Sequence, residues 1–126
     1  MYKLYLIILI IIFYGHGYCN EPIYSDSYNQ SLSLAESIDH NILLIFGADW
    51  CANCQTLKED LQSNSDFKNI IICNIDVDKS PDIAKQFGVK KIPVSILLDK
   101  NKKIISRYTG YDHYNKYILW YKERVP

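Results

Sequence analysis

Asn41-Ile-Leu-Leu-Ile-Phe-Gly-Ala-Asp-Trp-Cys-Ala-Asn-Cys-Gln55 is the stretch on which the reading of this chain turns. Ile42 to Phe46 is an unbroken apolar run that stops at Gly47. A short apolar run bounded by turn signals predicts a strand buried on both faces, hence a central strand. Cys51 and Cys54 follow at once, at the head of a segment with helical periodicity. At a helix N-terminus the unpaired backbone N–H groups and the helix dipole favour a negative charge, so Cys51 is placed where a thiolate is stabilised. The thiolate is the reactive form of cysteine, and a Cys-x-x-Cys pair in this position points to dithiol–disulfide chemistry.

Working outward, the chain of 126 residues has room for one domain with a single core. Lys plus Arg and Asp plus Glu balance at 14 each, so no strong field marks a nucleic-acid or polyanion partner. Eleven tyrosines argue for a packed globular domain and against disorder.

Residues 1–19 differ from the rest. Lys3 is their only charge, and Leu4 to Tyr14 is an unbroken apolar and aromatic run. That run is short of the roughly 20 residues of a membrane span but fits the apolar region of an export signal. Two cleavage frames are offered, after Gly17 and after Cys19; the alternative is an uncleaved N-terminal anchor, the only route by which this chain would meet a membrane. The expected locations are therefore the periplasm or the secreted fraction. Past residue 19 the loss of Lys3 leaves one acid in excess. Disulfides persist outside the cytosol, so a dithiol there is either a structural bridge or an exchange catalyst. Cys51, Cys54 and Cys73 are odd in number beyond the signal, a poor stapling framework. A zinc site needs two further ligands at metal spacing, and the sequence offers none; no metal or other cofactor is expected.

Residues 20–30 read as a polar leader, with Ile23-Tyr24 a candidate edge strand, and the domain proper spans 31–126. Ser31 to Asp39 carries Leu32, Leu34, Ala35 and Ile38 near one helical face, with Ser31 or Ser33 as cap. Leu57 and Leu61 continue the post-cysteine helix, which fades at Ser63-Asn64-Ser65. Ile70 to Asp76 is a second buried strand. Ser80-Pro81 starts a helix that runs through Ile83, Ala84 and Phe87 and closes at Gly88. Val94 to Leu98 and Lys103 to Tyr108 form a hairpin across the turn Asp99 to Lys102. Gly110 precedes a last helix, Asp112 to Glu123, that turns Tyr114, Tyr117, Ile118 and Tyr121 inward. Crossover helices make parallel pairs and the hairpin an antiparallel one, predicting an α/β fold: a mixed central sheet of about four to five strands, flanked by helices on both faces. Cys73 in its buried strand reads as a small hydrophobe; His40 and His113 read as surface or capping residues. Lys90-Lys91 and Lys100 to Lys103 read as solvated turns, the former able to steer an acidic partner.

This order, with three local motifs, resembles the thioredoxin fold. Trp50-Cys51-Ala52-Asn53-Cys54 is similar to the thioredoxin active-site motif, Phe87 to Pro93 to the segment ending in a cis-proline that faces the dithiol, and Gly110 to the glycine before the last helix. The resemblance implies a thiol–disulfide oxidoreductase in which Cys51 is the exposed nucleophile and Cys54 resolves the mixed disulfide. It also implies that Trp50, Ile92 and Pro93 contact the substrate, with core packing the other reading of Trp50. Ala48 to Cys51 and Thr109 to Asp112 look most like exported thiol:disulfide interchange proteins, in particular the C-terminal domain of DsbD-type reductants. That likeness implies disulfide-containing exported proteins as partners and a membrane thiol relay as electron source. An oxidase or isomerase on the same fold, or a non-catalytic binding module, are the alternatives. Two positions depart from the family. Its buried acid, six residues before the first cysteine, falls at Ile45, and its buried lysine falls at Ile72. The proton of the resolving cysteine must therefore go elsewhere, with Asp49 or a water as candidates.

Overall fold

The computed structural model describes residues 20–125, so the expected signal segment lies outside the described residues. The elements are β1 (Ile23–Ser25), α1 (Tyr28–Ile38), β2 (Asn41–Gly47), α2 (Ala52–Ser63), β3 (Ile70–Asp76), α3 (Pro81–Gln86), β4 (Val94–Leu98), β5 (Ile104–Thr109) and α4 (Tyr114–Lys122). Among the described residues the strands make one five-stranded sheet in the order β1-β3-β2-β4-β5. β3 pairs in parallel with β1 and β2, and the β2–β4 and β4–β5 pairs are antiparallel. The expected mixed sheet is thus realised, with β2 at its centre.

Side chains alternate across the sheet and two cores result. Leu43, Ile45, Ile70, Ile72 and Leu97 face α2 and α4, where they meet Leu57, Leu61, Tyr117, Ile118 and Tyr121. Ile42, Leu44, Phe46, Ile71, Cys73 and Ile96 face α1 and α3, where they meet Ala35 and Ala84. Ile42, Leu43 and Leu44 are fully buried, and each such side chain stabilises the fold by about 1.5–3 kcal/mol before packing effects. Cys73 is fully buried too, and burial pushes its thiol up, which keeps it protonated and unreactive.

The segment expected to be a polar leader holds β1 and the first turn of α1. The free edge of β3 supplies backbone partners to Ile23–Ser25, so the candidate edge strand at Ile23-Tyr24 is present, whereas Tyr28 to Gln30 belong to α1 and not to a leader. The cap of α1 is Ser27, whose Oγ accepts from the Gln30 amide at 3.4 Å, and not Ser31 or Ser33. Ser31 is instead buried inside the helix and donates to the Ser27 carbonyl at 2.8 Å. Tyr28 belongs to the helix because its ring packs edge-on to Phe87, with centroids 5.7 Å apart. At the other end, α4 starts at Tyr114, and His113 occupies its cap without a side-chain bond. Trp120 joins Tyr117 in the core; the inward-facing set read from periodicity lacks it.

Candidate active site

The site sits where β2 ends and α2 begins. Strand β2 is buried along Ile42–Phe46 and delivers the chain to its C-terminal edge at Gly47. The Cys51 amide then donates to the Ala48 carbonyl at 3.1 Å, closing a turn that puts Cys51 at the cap of α2. Its Sγ accepts from the Cys54 amide at 3.3 Å. One of the orphan amides of the helix start is therefore spent on sulfur, the geometry that stabilises a Cys51 thiolate once the bond is open.

Cys51 and Cys54 are joined in a disulfide, with Cα atoms 5.2 Å apart. Cys51 is the more open of the two, at 8% exposure against 1% for Cys54. That asymmetry fits an attacking and a resolving thiol. Trp50 is 72% exposed, which excludes the core-packing reading, and its Nε1 donates to Asp78 Oδ2 at 2.8 Å. Ile92 and Val77 pack against the small cluster of Ala48, Cys51 and Cys54. The Ile92–Pro93 peptide is cis, and the Pro93 carbonyl accepts from the Gly110 amide at 2.8 Å. Gly110 has φ +83°, a left-handed conformation that suits glycine. Long-range folding thus brings Ile92 to the dithiol and ties the Pro93 and Gly110 segments together.

Three contributors escaped the sequence reading. Asp78, 28 residues beyond Trp50, orients the indole through the hydrogen bond above. Gly47 lies against the dithiol: a Cβ there would stand 3.1 Å from Cys54 Cβ and 3.2 Å from Cys54 Sγ. Its position at the end of a buried strand beside a cysteine helix was the available signal. The third is a cleft of about 310 Å³ on the Cys54 side, lined in part by Gln55, Lys58 and Asn74. Ile45 and Ile72 are buried and apolar, as the departures from the family pattern imply. Ile45 is flanked in register by Asn74 on β3 and Ser95 on β4. The Tyr117 hydroxyl donates to Ser95 Oγ at 2.7 Å, whereas Asn74 Oδ1 has no partner among the described residues.

A family model described as Thioredoxin matches residues 21–122. The chain belongs to the thioredoxin family. Thioredoxin H2 of Arabidopsis thaliana is 32% identical over 84 residues, 64% of this chain and 63% of that protein's length. A thioredoxin of Chlamydia muridarum is 35% identical over 74 residues, 57% of this chain and 72% of that protein. A solved variant of the thioredoxin from Halobacterium salinarum superposes with a TM-score of 0.69 at 23% identity, covering 84% of this chain and 95% of its own; that likeness shows the fold. With the family in hand, the Cys51–Cys54 pair is the redox pair of a thioredoxin-like thiol–disulfide oxidoreductase.

Proposed function

We propose that this thioredoxin-family protein is exported and works as a reductant, opening or interchanging disulfides in other exported proteins. The observation that carries the direction is the pair of residues between the cysteines. Strong oxidants of this fold resemble one another in placing a histidine there, whose charge stabilises the thiolate and hence the reduced form. Ala52 and Asn53 are uncharged, so among the described residues the support for a Cys51 thiolate comes from the helix start and the Cys54 amide. Less stabilisation of the reduced form means a more reducing couple.

In the forward step the Cys51 thiolate attacks a partner disulfide and one partner sulfur leaves as a thiolate. Cys54 then attacks Cys51 Sγ, the intramolecular disulfide forms, and the second partner sulfur departs. Each cycle takes two electrons from the dithiol, so an external thiol relay must restore it. Exposed Trp50 and half-buried Ile92 border the sulfurs and provide apolar surface for a partner segment. Lys90 and Lys91, exposed just before Ile92, favour partners with acidic residues near the disulfide. Export is supported by the apolar run Leu4–Tyr14 behind Lys3. The narrower likeness to DsbD-type C-terminal domains is supported by Ala48–Cys51 and Thr109–Asp112.

Equilibration of the purified protein with thiol–disulfide buffers tests this reading. The expected potential lies nearer the thioredoxin value of about −270 mV than the DsbA value of about −120 mV. A value above about −160 mV would overturn the reductant assignment in favour of an oxidase.

A further inference from the structure

The apolar residues at positions 45 and 72 leave open what stabilises Cys54 as it loses its proton. Cys54 is almost wholly enclosed, and on one side Gly47 lies against its Sγ without offering a side chain. The cleft is the polar opening on this cysteine. The charged groups that line it are Asp26 between β1 and α1, Asp49 before α2, Lys58 on α2, and Asp76 and Lys79 at and just past the end of β3. Outside the cleft, the segments that pack Ile92 and Val77 against the dithiol carry the exposed Lys90 and Lys91 and the Trp50-bound Asp78.

These groups are not equivalent. Lys79 is shared between Asp49 at 4.0 Å and Asp76 at 3.9 Å, so its charge is already matched. The Asp49 side chain is 85% exposed. Asp76 Oδ1 is occupied by the Asp78 and Lys79 amides. Asp26 is exposed and carries the wrong sign to hold a thiolate. Lys58 is half-buried, and among the described residues it has neither an ion-pair nor a hydrogen-bond partner. It stands four residues after Cys54 on one helix, a spacing that puts Cβ atoms about 5–6 Å apart. Across the same cleft, the buried and unpartnered Oδ1 of Asn74 offers its ammonium a second acceptor.

We infer that Lys58 is the positioning residue of the resolving half-reaction, its ammonium stabilising the Cys54 thiolate from within the cleft. The inference rests on the oxidoreductase reading and deepens it. The Cys54 proton passes to solvent in the cleft, the Cys54 thiolate attacks Cys51 Sγ in the mixed disulfide, and the Cys51–partner bond breaks. The dithiol is oxidised by two electrons and the partner sulfur leaves as a thiolate that is reprotonated from solvent. Lys58 exchanges no electrons and keeps its own proton throughout.

The test is the pH dependence of Cys54 alkylation in the full-length Cys51→Ser protein, followed by mass spectrometry of the Cys54 peptide. It needs no partner and no turnover, so failure of the proposed reductant role leaves its outcome readable. Lys58→Gln is expected to raise the alkylation midpoint by about 0.5–1 pH unit, the effect of a single charge acting across roughly one helical turn under strong screening. Lys58→Arg should recover at least half of that shift, and Lys103→Gln, an equal charge change on a distant turn, should leave the midpoint in place. An unmoved midpoint in Lys58→Gln, an equal shift in Lys103→Gln, or a shift with Asp49→Asn alone would each overturn the inference. Should Lys58→Gln fail to fold, Lys58→Met, which keeps the apolar stem and removes the charge, takes its place: it must raise the midpoint by a comparable amount, and an unmoved midpoint refutes the role.

Discussion

Replacing Gly47 with alanine probes the contact between the central strand and the dithiol. The new Cβ would stand 3.1 Å from Cys54 Cβ and 3.2 Å from Cys54 Sγ, inside the roughly 3.5–4.0 Å at which carbon atoms attract. Gly47 ends a β-strand and its φ is not positive, so backbone strain adds nothing and alanine gains about 0.5–1 kcal/mol from a stiffer unfolded chain. Overpacking a tight site costs about 1–3 kcal/mol, which wins. The two contacts respond differently to redox state. Cys54 Cβ is fixed by the α2 backbone in both forms, whereas Sγ is held by the disulfide only when oxidised and can turn away once reduced. Gly47→Ala should therefore destabilise the oxidised protein by about 1 kcal/mol more than the reduced one, and by linkage raise the potential by about 20 mV. Urea unfolding with and without a strong reductant gives the stability difference, and equilibration in thiol–disulfide buffers gives the potential independently. Equal destabilisation of the two forms, or a potential that falls, would refute the contact as the cause.

Three further outcomes follow from the same geometry. Tyr117→Phe leaves the buried Ser95 hydroxyl without its donor and should cost about 1–3 kcal/mol in urea unfolding, part of which Tyr117→Phe/Ser95→Ala recovers; a double variant no more stable than the single one contradicts this. The Asp66 carboxyl is held below its ordinary 3.8 first by a hydrogen bond from Lys122 and then by the Tyr114 hydroxyl. Because the folded value is lowered, its contribution is complete above pH about 4 and fades as pH falls further. Asp66→Asn should thus cost at most about 1 kcal/mol at neutral pH, the site being one-third exposed, with the gap to the parent closing in acid. A gap that widens in acid would reverse the sign of the assignment. Cys54→Ala should accumulate mixed disulfides through Cys51, visible on non-reducing gels, and Cys51→Ser should form none; adducts at Cys73 instead would contradict its burial.

Much of this protein is legible in its sequence because the deciding signals are local. The apolar runs at 42–46, 70–75 and 94–98 specify strands buried on both faces, and the helix after Cys51 follows from Leu57 and Leu61. The Cys-x-x-Cys pair and its place at a helix start are local as well, so the chemistry could be read before the fold. Other features were less legible. The edge strand at Ile23-Tyr24 could be offered only as a candidate because its pairing depends on the free edge of β3, and Trp120 is inward because Tyr108 and Tyr117 surround its ring.

What the sequence alone determined, then, is the redox pair Cys51–Cys54, the order of strands and helices, and the absence of a carboxylate at position 45. Tertiary structure alone decided what surrounds that pair. It turned Trp50 outward onto Asp78, brought Ile92 against the sulfurs, pressed Gly47 to Cys54 and opened the cleft that holds Lys58 and Asn74. The physical reason is range. Propensity and periodicity act over one or two turns of chain, whereas contacts across the end of the sheet join residues decades apart in sequence, and only the closed fold sets their distances.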